Sequence, residues 1–209
     1  MRHKFILLML VAVLLAGCTY HYKDIPTDIA PTAKGDQRYS THLALLFTPK
    51  LLENVVSARP PANHGGQHVY YYRLGPALQT ALTKSVKAAY ADVTVVKVLP
   101  RPNQFDRIIS FDLAYADVRV DFIPGYLRQD AQATAAIAVI MDIIDGASLR
   151  IVRRMPVQGR GSSLKDASGF VPYAPMQFIK AIEDATQQLS EIVSNLLISG
   201  GAEAGGRVR

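Results

Sequence analysis

The most restrictive feature of this sequence is a run of alternating apolar and polar residues between Ile109 and Phe122. Up to Tyr115 the odd-numbered positions are apolar, whereas from Val118 onward the even-numbered positions are apolar. A period of two predicts a strand with one buried face. The change of phase predicts a β-bulge or bend near Ala116, because otherwise one set of apolar side chains would face water. The chain is therefore expected to fold around a sheet with one covered face.

Other segments extend this sheet. Residues 41–47 and 93–98 are short runs rich in β-branched or aliphatic side chains, which favours strands. Residues 133–144 form a long apolar run whose alanines allow a helix, but its isoleucines, its valine and the flanking turns favour a strand. Asp145-Gly146 predicts a hairpin turn into a further strand over 149–154. The glycine-rich segment 159–163 is interpreted as a strand end or a loop.

Two segments have the apolar spacing of amphipathic helices. One follows Gly75-Pro76 and is expected to end near Asp92, and the other extends from Phe178 to Leu197. Two such helices need a common apolar surface to cover. We therefore predict an α+β fold, with a mainly antiparallel sheet and two amphipathic helices packed on one of its faces.

The N-terminus has the pattern of an export signal. Arg2 and Lys4 precede an apolar run over 5–15, which is about half of the ~20 residues that a membrane-spanning helix needs. The run ends in a tetrapeptide that resembles the lipobox of bacterial lipoprotein precursors. The resemblance implies a signal peptide over 1–17, recognition of its end by a signal peptidase and lipidation of the next residue; the four positions are Leu15, Ala16, Gly17 and Cys18. The alternative is a buried apolar cysteine in a core helix.

The lipidated cysteine has consequences for location and for the fold. Cys18 is the only cysteine, which excludes an intramolecular disulfide and a cysteine-rich metal site. Two or more acyl chains give stable membrane anchoring. In enteric lipoproteins an aspartate after the cysteine favours the inner membrane, so the resemblance and Thr19 imply an outer-membrane protein facing the periplasm. Anchoring in the inner membrane stays open.

The chain beyond the signal peptide divides into three parts. We expect a flexible tether over 18–40, a single globular domain over 41–199 and a disordered glycine-rich tail over 200–209. Loss of residues 1–17 removes two cations, Arg2 and Lys4, and no anion, so the net charge falls from +6 to +4. This mild excess is compatible with an anionic lipid or lipopolysaccharide partner and gives no indication of nucleic-acid binding.

Two clusters are candidate partner-binding residues. Tyrosines beside an arginine can hold carbohydrate, lipid headgroups or a protein partner by stacking and hydrogen bonding. A basic stretch further along the chain can meet an anionic envelope partner. The alternatives are a strand with one ring buried and a solvated strand face. The six candidates are Tyr70, Tyr71, Tyr72, Arg73, Arg153 and Arg154.

Patterns for catalysis and for metal binding are incomplete in this sequence. His64 and His68 lie close together in a predicted loop but have no third ligand marked by spacing. Asp112, Asp117 and Asp121 are expected on the polar face of a strand. Gly-x-Ser-x-Gly and the phosphate-binding loop with its lysine are both missing. We therefore expect no catalytic residue, no metal and no cofactor.

The lipobox, the segment 111–118, the predicted hairpin and the last helix together resemble small periplasmic lipoproteins of the YajG type. The architecture alone is also similar to the lipopolysaccharide-assembly lipoprotein. The resemblance implies a fold and an envelope location, and no catalytic residue.

The leading hypothesis is a non-enzymatic envelope lipoprotein that binds a protein or amphiphile in outer-membrane assembly, transport or maintenance. One alternative is a structural subunit of a secretion or transport complex. The other is a periplasmic metal-dependent hydrolase that uses His42, His64 or His68.

Overall fold

The computed structural model describes residues 19–25, 28–31, 39–60, 68–124, 129–166 and 175–201. The predictions for the signal peptide, for Leu15, Ala16, Gly17 and Cys18, and for 202–209 of the tail lie outside these residues. The described chain forms eight strands and three helices. They are β1 (Thr19–Asp24), β2 (Tyr39–Phe47), α1 (Pro49–Leu52), β3 (Val55–Ala58), β4 (His68–Arg73), α2 (Leu74–Ala89), β5 (Tyr90–Val96), β6 (Arg107–Pro124), β7 (Gln129–Asp145), β8 (Ile151–Asp166) and α3 (Pro175–Gly201).

The strands form two sheets, and the α+β prediction is confirmed. The larger sheet has the order β5-β2-β6-β7-β8 and the smaller one the order β1-β4-β3. Both are mixed, which corrects the expectation of a mainly antiparallel sheet, because β2 is parallel to both of its neighbours and β1 is parallel to β4. The helix α2 lies between β2 and β5 along the chain, and parallel strands require a crossover of this kind.

The predicted irregularity in the long strand is confirmed. The register between β6 and β7 shifts between Leu113 and Tyr115, so Ala114 is the extra residue of a bulge. Leu113 and Val118 are both buried, whereas Tyr115 is 46% exposed on the other face. The bulge thus keeps Phe111 and Leu113 on the same covered side as Val118, whereas Tyr115, expected with the buried set, faces solvent.

The hairpin predicted at Asp145-Gly146 joins β7 to β8, with a loop longer than two residues. Leu149 has a left-handed backbone (φ 54°), and its N–H donates to the Asp145 carbonyl. Hydrogen bonds from the hydroxyl and N–H of Ser148 lower the pKa of the Asp145 carboxyl. These contacts close a turn that the Asp-Gly pair alone does not define.

Both long helices cover one face of the larger sheet. The apolar stripe of α3, including Phe178, Ile182 and Leu189, is fully buried in the same cluster as the inner residues of β2, β6 and β7. The helices α2 and α3 meet at a buried hydrogen bond of 2.7 Å between the hydroxyls of Ser85 and Ser190. The other face of this sheet is covered at one end by the loop containing Phe105. No helix in the described part of the chain is long and apolar enough to cross a membrane.

The tether expected over 18–40 is wrong for its first residues. Thr19–Asp24 form β1, whose backbone pairs with the whole length of β4, and Ile25 is buried. The segment contains polar residues and prolines, but Tyr22 stacks on Tyr71 and holds the strand in place. A six-residue strand at a sheet edge carries too short a pattern to be separated from a linker by periodicity.

Candidate functional site

The outer side of the small sheet carries exposed aromatic and charged side chains. Register pairs Tyr22 with Tyr71 and Asp24 with Arg73. The two tyrosine rings are stacked with centroids 5.1 Å apart, and Tyr22 is 63% exposed. Arg73 Nη1 lies 3.7 Å from Asp24 Oδ1. We call this surface the aromatic face; its residues are Tyr22, Asp24, Val55, Ser57, Tyr71 and Arg73.

The inner side of the same sheet packs on the start of α3. Tyr72 is fully buried, and its ring centroid is 6.1 Å from that of Phe178. Tyr70 is also directed to this side, 6.3 Å from Phe178. The period of two along β4 therefore divides the predicted cluster, with Tyr71 and Arg73 on the outside. Only half of the predicted tyrosine–arginine cluster contributes to a surface.

A histidine pair lies at the beginning of the two parallel strands. His21 Nε2 is 3.3 Å from His68 Nδ1, and the ring of His21 stacks on Tyr70 with centroids 5.2 Å apart. Among the described residues no group of three or more His, Cys, Asp or Glu side chains could hold a metal ion. His64 lies outside the described residues. The pair is therefore part of the packing at this end of the sheet.

The contribution of β1 to this surface does not follow from the sequence predictions. His21, Tyr22 and Asp24 fall in the segment that the sequence predicts as a tether, apart from the cluster Tyr70–Arg73. A signal was present, because the aromatic run Tyr20-His21-Tyr22 matches the aromatic run of β4 in length and spacing. Two such runs can pair side by side in a sheet, where aromatic neighbours stabilise each other.

The second predicted cluster lies elsewhere. Arg153 and Arg154 belong to β8, at the edge of the larger sheet, and adjacent residues of a strand are directed to opposite faces. Arg154 donates two hydrogen bonds, of 2.7 and 2.8 Å, to the carboxylate of Asp142. These bonds and the negative charge of Asp142 raise the pKa of the Arg154 guanidinium. Arg153 Nη1 lies beside Gly200, near the C-terminus of α3, where a cation is favourable. The structure does not bring these arginines together with the aromatic face.

The residues considered for catalysis are engaged in structural contacts. The ring of His42 packs on Phe105 with centroids 4.5 Å apart. Asp112 accepts a 2.6 Å hydrogen bond from Thr48, and Asp117 lies 2.6 Å from Arg119 Nε. The side chain of Asp121 lies outside the described residues. These groups are separated along the fold and do not converge on one point.

An acidic groove separates the segment 28–30 from α3. It has a volume of about 490 Å³ and is lined by Asp28, Glu183, Asp184 and Gln187, among others. Partial burial raises the pKa of Glu183, and the negative charges of Asp184 and Asp28 raise it further. The carboxylates in this groove repel one another, and the main consequence is a small loss of folding stability.

Comparisons with known proteins reveal similarity of fold. No protein-family model matches the chain, and no curated protein matches it in sequence. Protein XCC0632 from Xanthomonas campestris, of the DUF330 family, matches with a TM-score of 0.53 at 13% identity, over 88% of this chain and 98% of that one. A neuraminyllactose-binding hemagglutinin homolog from Helicobacter pylori matches with a TM-score of 0.53 at 12% identity, over 87% of this chain and 96% of that one. A minor lipoprotein from Acinetobacter baumannii matches with a TM-score of 0.44 at 8% identity, over 78% of this chain and 95% of that one. The first two proteins share the fold of this chain.

Proposed function

We propose that this protein is an envelope lipoprotein, anchored through Cys18 to the outer membrane and facing the periplasm, that acts without catalysis. It binds a protein or amphiphile partner in outer-membrane assembly, transport or maintenance. The observation that carries the proposal is the aromatic face, where Tyr22 and Tyr71 are stacked beside the ion pair of Asp24 and Arg73. Tyrosine and arginine are among the side chains that most often carry binding energy at interfaces.

The position of the aromatic face supports this assignment. It begins directly after the cysteine that would carry the lipid, so a partner bound there is close to the membrane. The imidazoles and carboxylates that a hydrolase would use are occupied in packing and ion pairs among the described residues, as with His42 on Phe105. A binding role, unlike hydrolysis, can be carried by side chains that are already exposed on the aromatic face.

A set of matched variants tests the proposal in intact cells. The full-length protein is crosslinked, purified and analysed for bound proteins and lipids, with Cys18→Ala as the unlipidated form. The double variant Tyr22→Ala/Arg73→Ala removes the aromatic face. Tyr115→Ala/Arg119→Ala is its control, because it removes an exposed tyrosine and an ion-paired arginine from the other sheet.

We expect the wild type and the control to enrich the same protein or amphiphile, and the other two variants to lose it. Equal enrichment by Tyr22→Ala/Arg73→Ala would contradict a role for the aromatic face. Turnover of a substrate by the purified protein would contradict the non-enzymatic assignment. Incorporation of labelled palmitate in the wild type, and not in Cys18→Ala, tests the anchor independently of any partner.

A structural subunit of a secretion or transport complex is the second candidate. It is favoured by the face of the larger sheet that no described helix covers, where Tyr115, Arg119 and Arg160 are exposed. Both edge strands of this sheet, β5 and β8, adjoin it. In the experiment above, loss of a stoichiometric partner from Tyr115→Ala/Arg119→Ala alone would favour this candidate.

A further inference from the structure

The aromatic face begins at the point where the lipid anchor would attach. Thr19 is the first residue of β1, and the backbone of β1 is paired with β4 from this residue onward. Consecutive Cα atoms are about 3.8 Å apart, so a lipid on Cys18 is one peptide unit from the sheet. The domain therefore has no free chain with which to move away from its membrane.

The reach of the chain limits how far the aromatic face can be from the bilayer. Tyr22 is four residues from Cys18, which places its Cα within about 14 Å of the anchored residue at any tilt of the strand. Tyr71 lies on the neighbouring strand, about 5 Å to the side. A tyrosine side chain adds further reach, so both rings can enter the headgroup layer at the edge of the hydrocarbon core.

The chemistry of this end of the sheet suits a headgroup layer. Tyrosine is enriched at membrane–water interfaces, because its ring is apolar and its hydroxyl is polar. On the side of Tyr22 the sheet carries Arg73 with its ion-pair partner Asp24, and Arg59, two residues after Ser57, adds a further cation. A cation near an anionic membrane surface is attracted to it. Tyr22 is exposed to water in the isolated domain, and the headgroup layer offers its ring an apolar side and its hydroxyl a polar one.

We propose that the partner of the aromatic face is the anionic headgroup layer of the bilayer that holds the Cys18 lipid. The sheet formed by β1, β4 and β3 lies against the membrane, and the uncovered face of the larger sheet is directed elsewhere. This inference rests on the proposed lipid anchor and deepens the binding role of the same site. The inference specifies the amphiphile of the proposed function as the phospholipids of the bilayer.

The sequence contains no tryptophan, so a single substitution gives a unique fluorescent reporter. The lipidated full-length protein carrying Tyr22→Trp is reconstituted into vesicles of phosphatidylethanolamine and phosphatidylglycerol. Part of the lipid carries a nitroxide quencher on its headgroup. Tyr115→Trp is the matched control, because Tyr115 is exposed on the opposite sheet. Ser57→Trp is a second reporter, in register with Tyr71 on β3, should the first variant fail to fold.

We expect the quencher to lower the fluorescence of Tyr22→Trp and Ser57→Trp by about twofold, and that of Tyr115→Trp much less, since the headgroup layer is only ~5–8 Å thick. Unchanged fluorescence of Tyr22→Trp and Ser57→Trp in protein that floats with the vesicles would overturn the inference and leave the anchor intact. Quenching of Tyr115→Trp to the same degree would also overturn it. Protein that does not float lacks the anchor, and the proposed function then fails as well.

Discussion

Gly161 of β8 lies directly beneath Ala181 of α3, and a Cβ atom on Gly161 would overlap the carbonyl oxygen of Ala181. Gly159 has the same relation to Ala185, one helical turn further along. The two glycines therefore allow α3 to approach the edge strand at backbone distance. The segment 159–163, interpreted from the sequence as a strand end or loop, is part of β8, and the close approach of α3 accounts for its glycines.

Gly161→Ala is expected to reduce the free energy of unfolding by about 2–4 kcal/mol, because the helix must move away from the sheet to admit the methyl group. Urea denaturation followed by circular dichroism measures the loss. Ser162→Ala, at an exposed position beside it, is the control and should change little. Equal stability of the two variants would mean that α3 can shift at no cost.

A buried hydrogen bond joins the two long helices. Ser85 Oγ donates to or accepts from Ser190 Oγ at 2.7 Å and also contacts the Ala81 carbonyl at 2.9 Å. We expect Ser85→Ala to cost about 1–2 kcal/mol, because the Ser190 hydroxyl loses a partner inside the core. The double variant Ser85→Ala/Ser190→Ala should cost less than the sum of the two single losses.

The comparison that isolates this effect is Ser199→Ala, since Ser199 makes a similar hydroxyl-to-carbonyl bond at an exposed position of α3. Thermal unfolding of the wild type, Ser85→Ala, Ser190→Ala and the double variant gives the coupling free energy. Strictly additive losses would show that the two hydroxyls do not depend on each other.

The bulge at Ala114 determines which side chains of β6 reach the core. Deleting Ala114 removes the extra residue and leaves Leu113 and Val118 on the covered face, whereas deleting Arg119, outside the bulge, turns Val120 away from that face. We expect the Ala114 deletion to keep a cooperative unfolding transition, and the Arg119 deletion to lower the Tm much further, because it takes an apolar side chain out of the core. Loss of the transition in the Ala114 deletion would mean that the bulge does more than keep the apolar side chains in phase.

The sequence predicts those parts of the fold that depend on local periodicity. The alternation of β6, its bulge and the stripe of α3 follow from residue spacing, and each agrees with the structure. Parallel pairing of β2 depends on how distant segments meet, and no local pattern encodes it. The aromatic face was half predicted, because Tyr71 and Arg73 lie in a conspicuous run whereas Tyr22 gains its meaning only from a partner strand 49 residues away in register.

The acidic groove gives a pH-dependent prediction. Partial burial raises the pKa of Glu183 above its ordinary value of 4.5, the charges of Asp184 and Asp28 raise it further, and Lys180 opposes them. A carboxyl whose pKa is higher in the folded state binds its proton more tightly there, so protonation stabilises the fold. This stabilisation is complete below pH 4.5 and is lost as the pH rises through the folded-state pKa. Glu183→Gln, which is neutral throughout, should therefore be more stable than the wild type at pH 7 by about half a kcal/mol or less, as expected for a partly exposed group.

The difference between Glu183→Gln and the wild type should shrink as the pH is lowered toward 4.5, because the wild-type side chain then becomes neutral as well. Urea midpoints measured at a series of pH values give the dependence. Glu53→Gln, at an exposed carboxyl in the turn after α1, serves as the control for loss of charge alone. Added salt should also reduce the difference at pH 7, since it screens the repulsion from Asp184 and Asp28. If Glu183→Gln is less stable than the wild type at pH 7, the charged carboxylate is held by a favourable contact and the groove does not strain the fold.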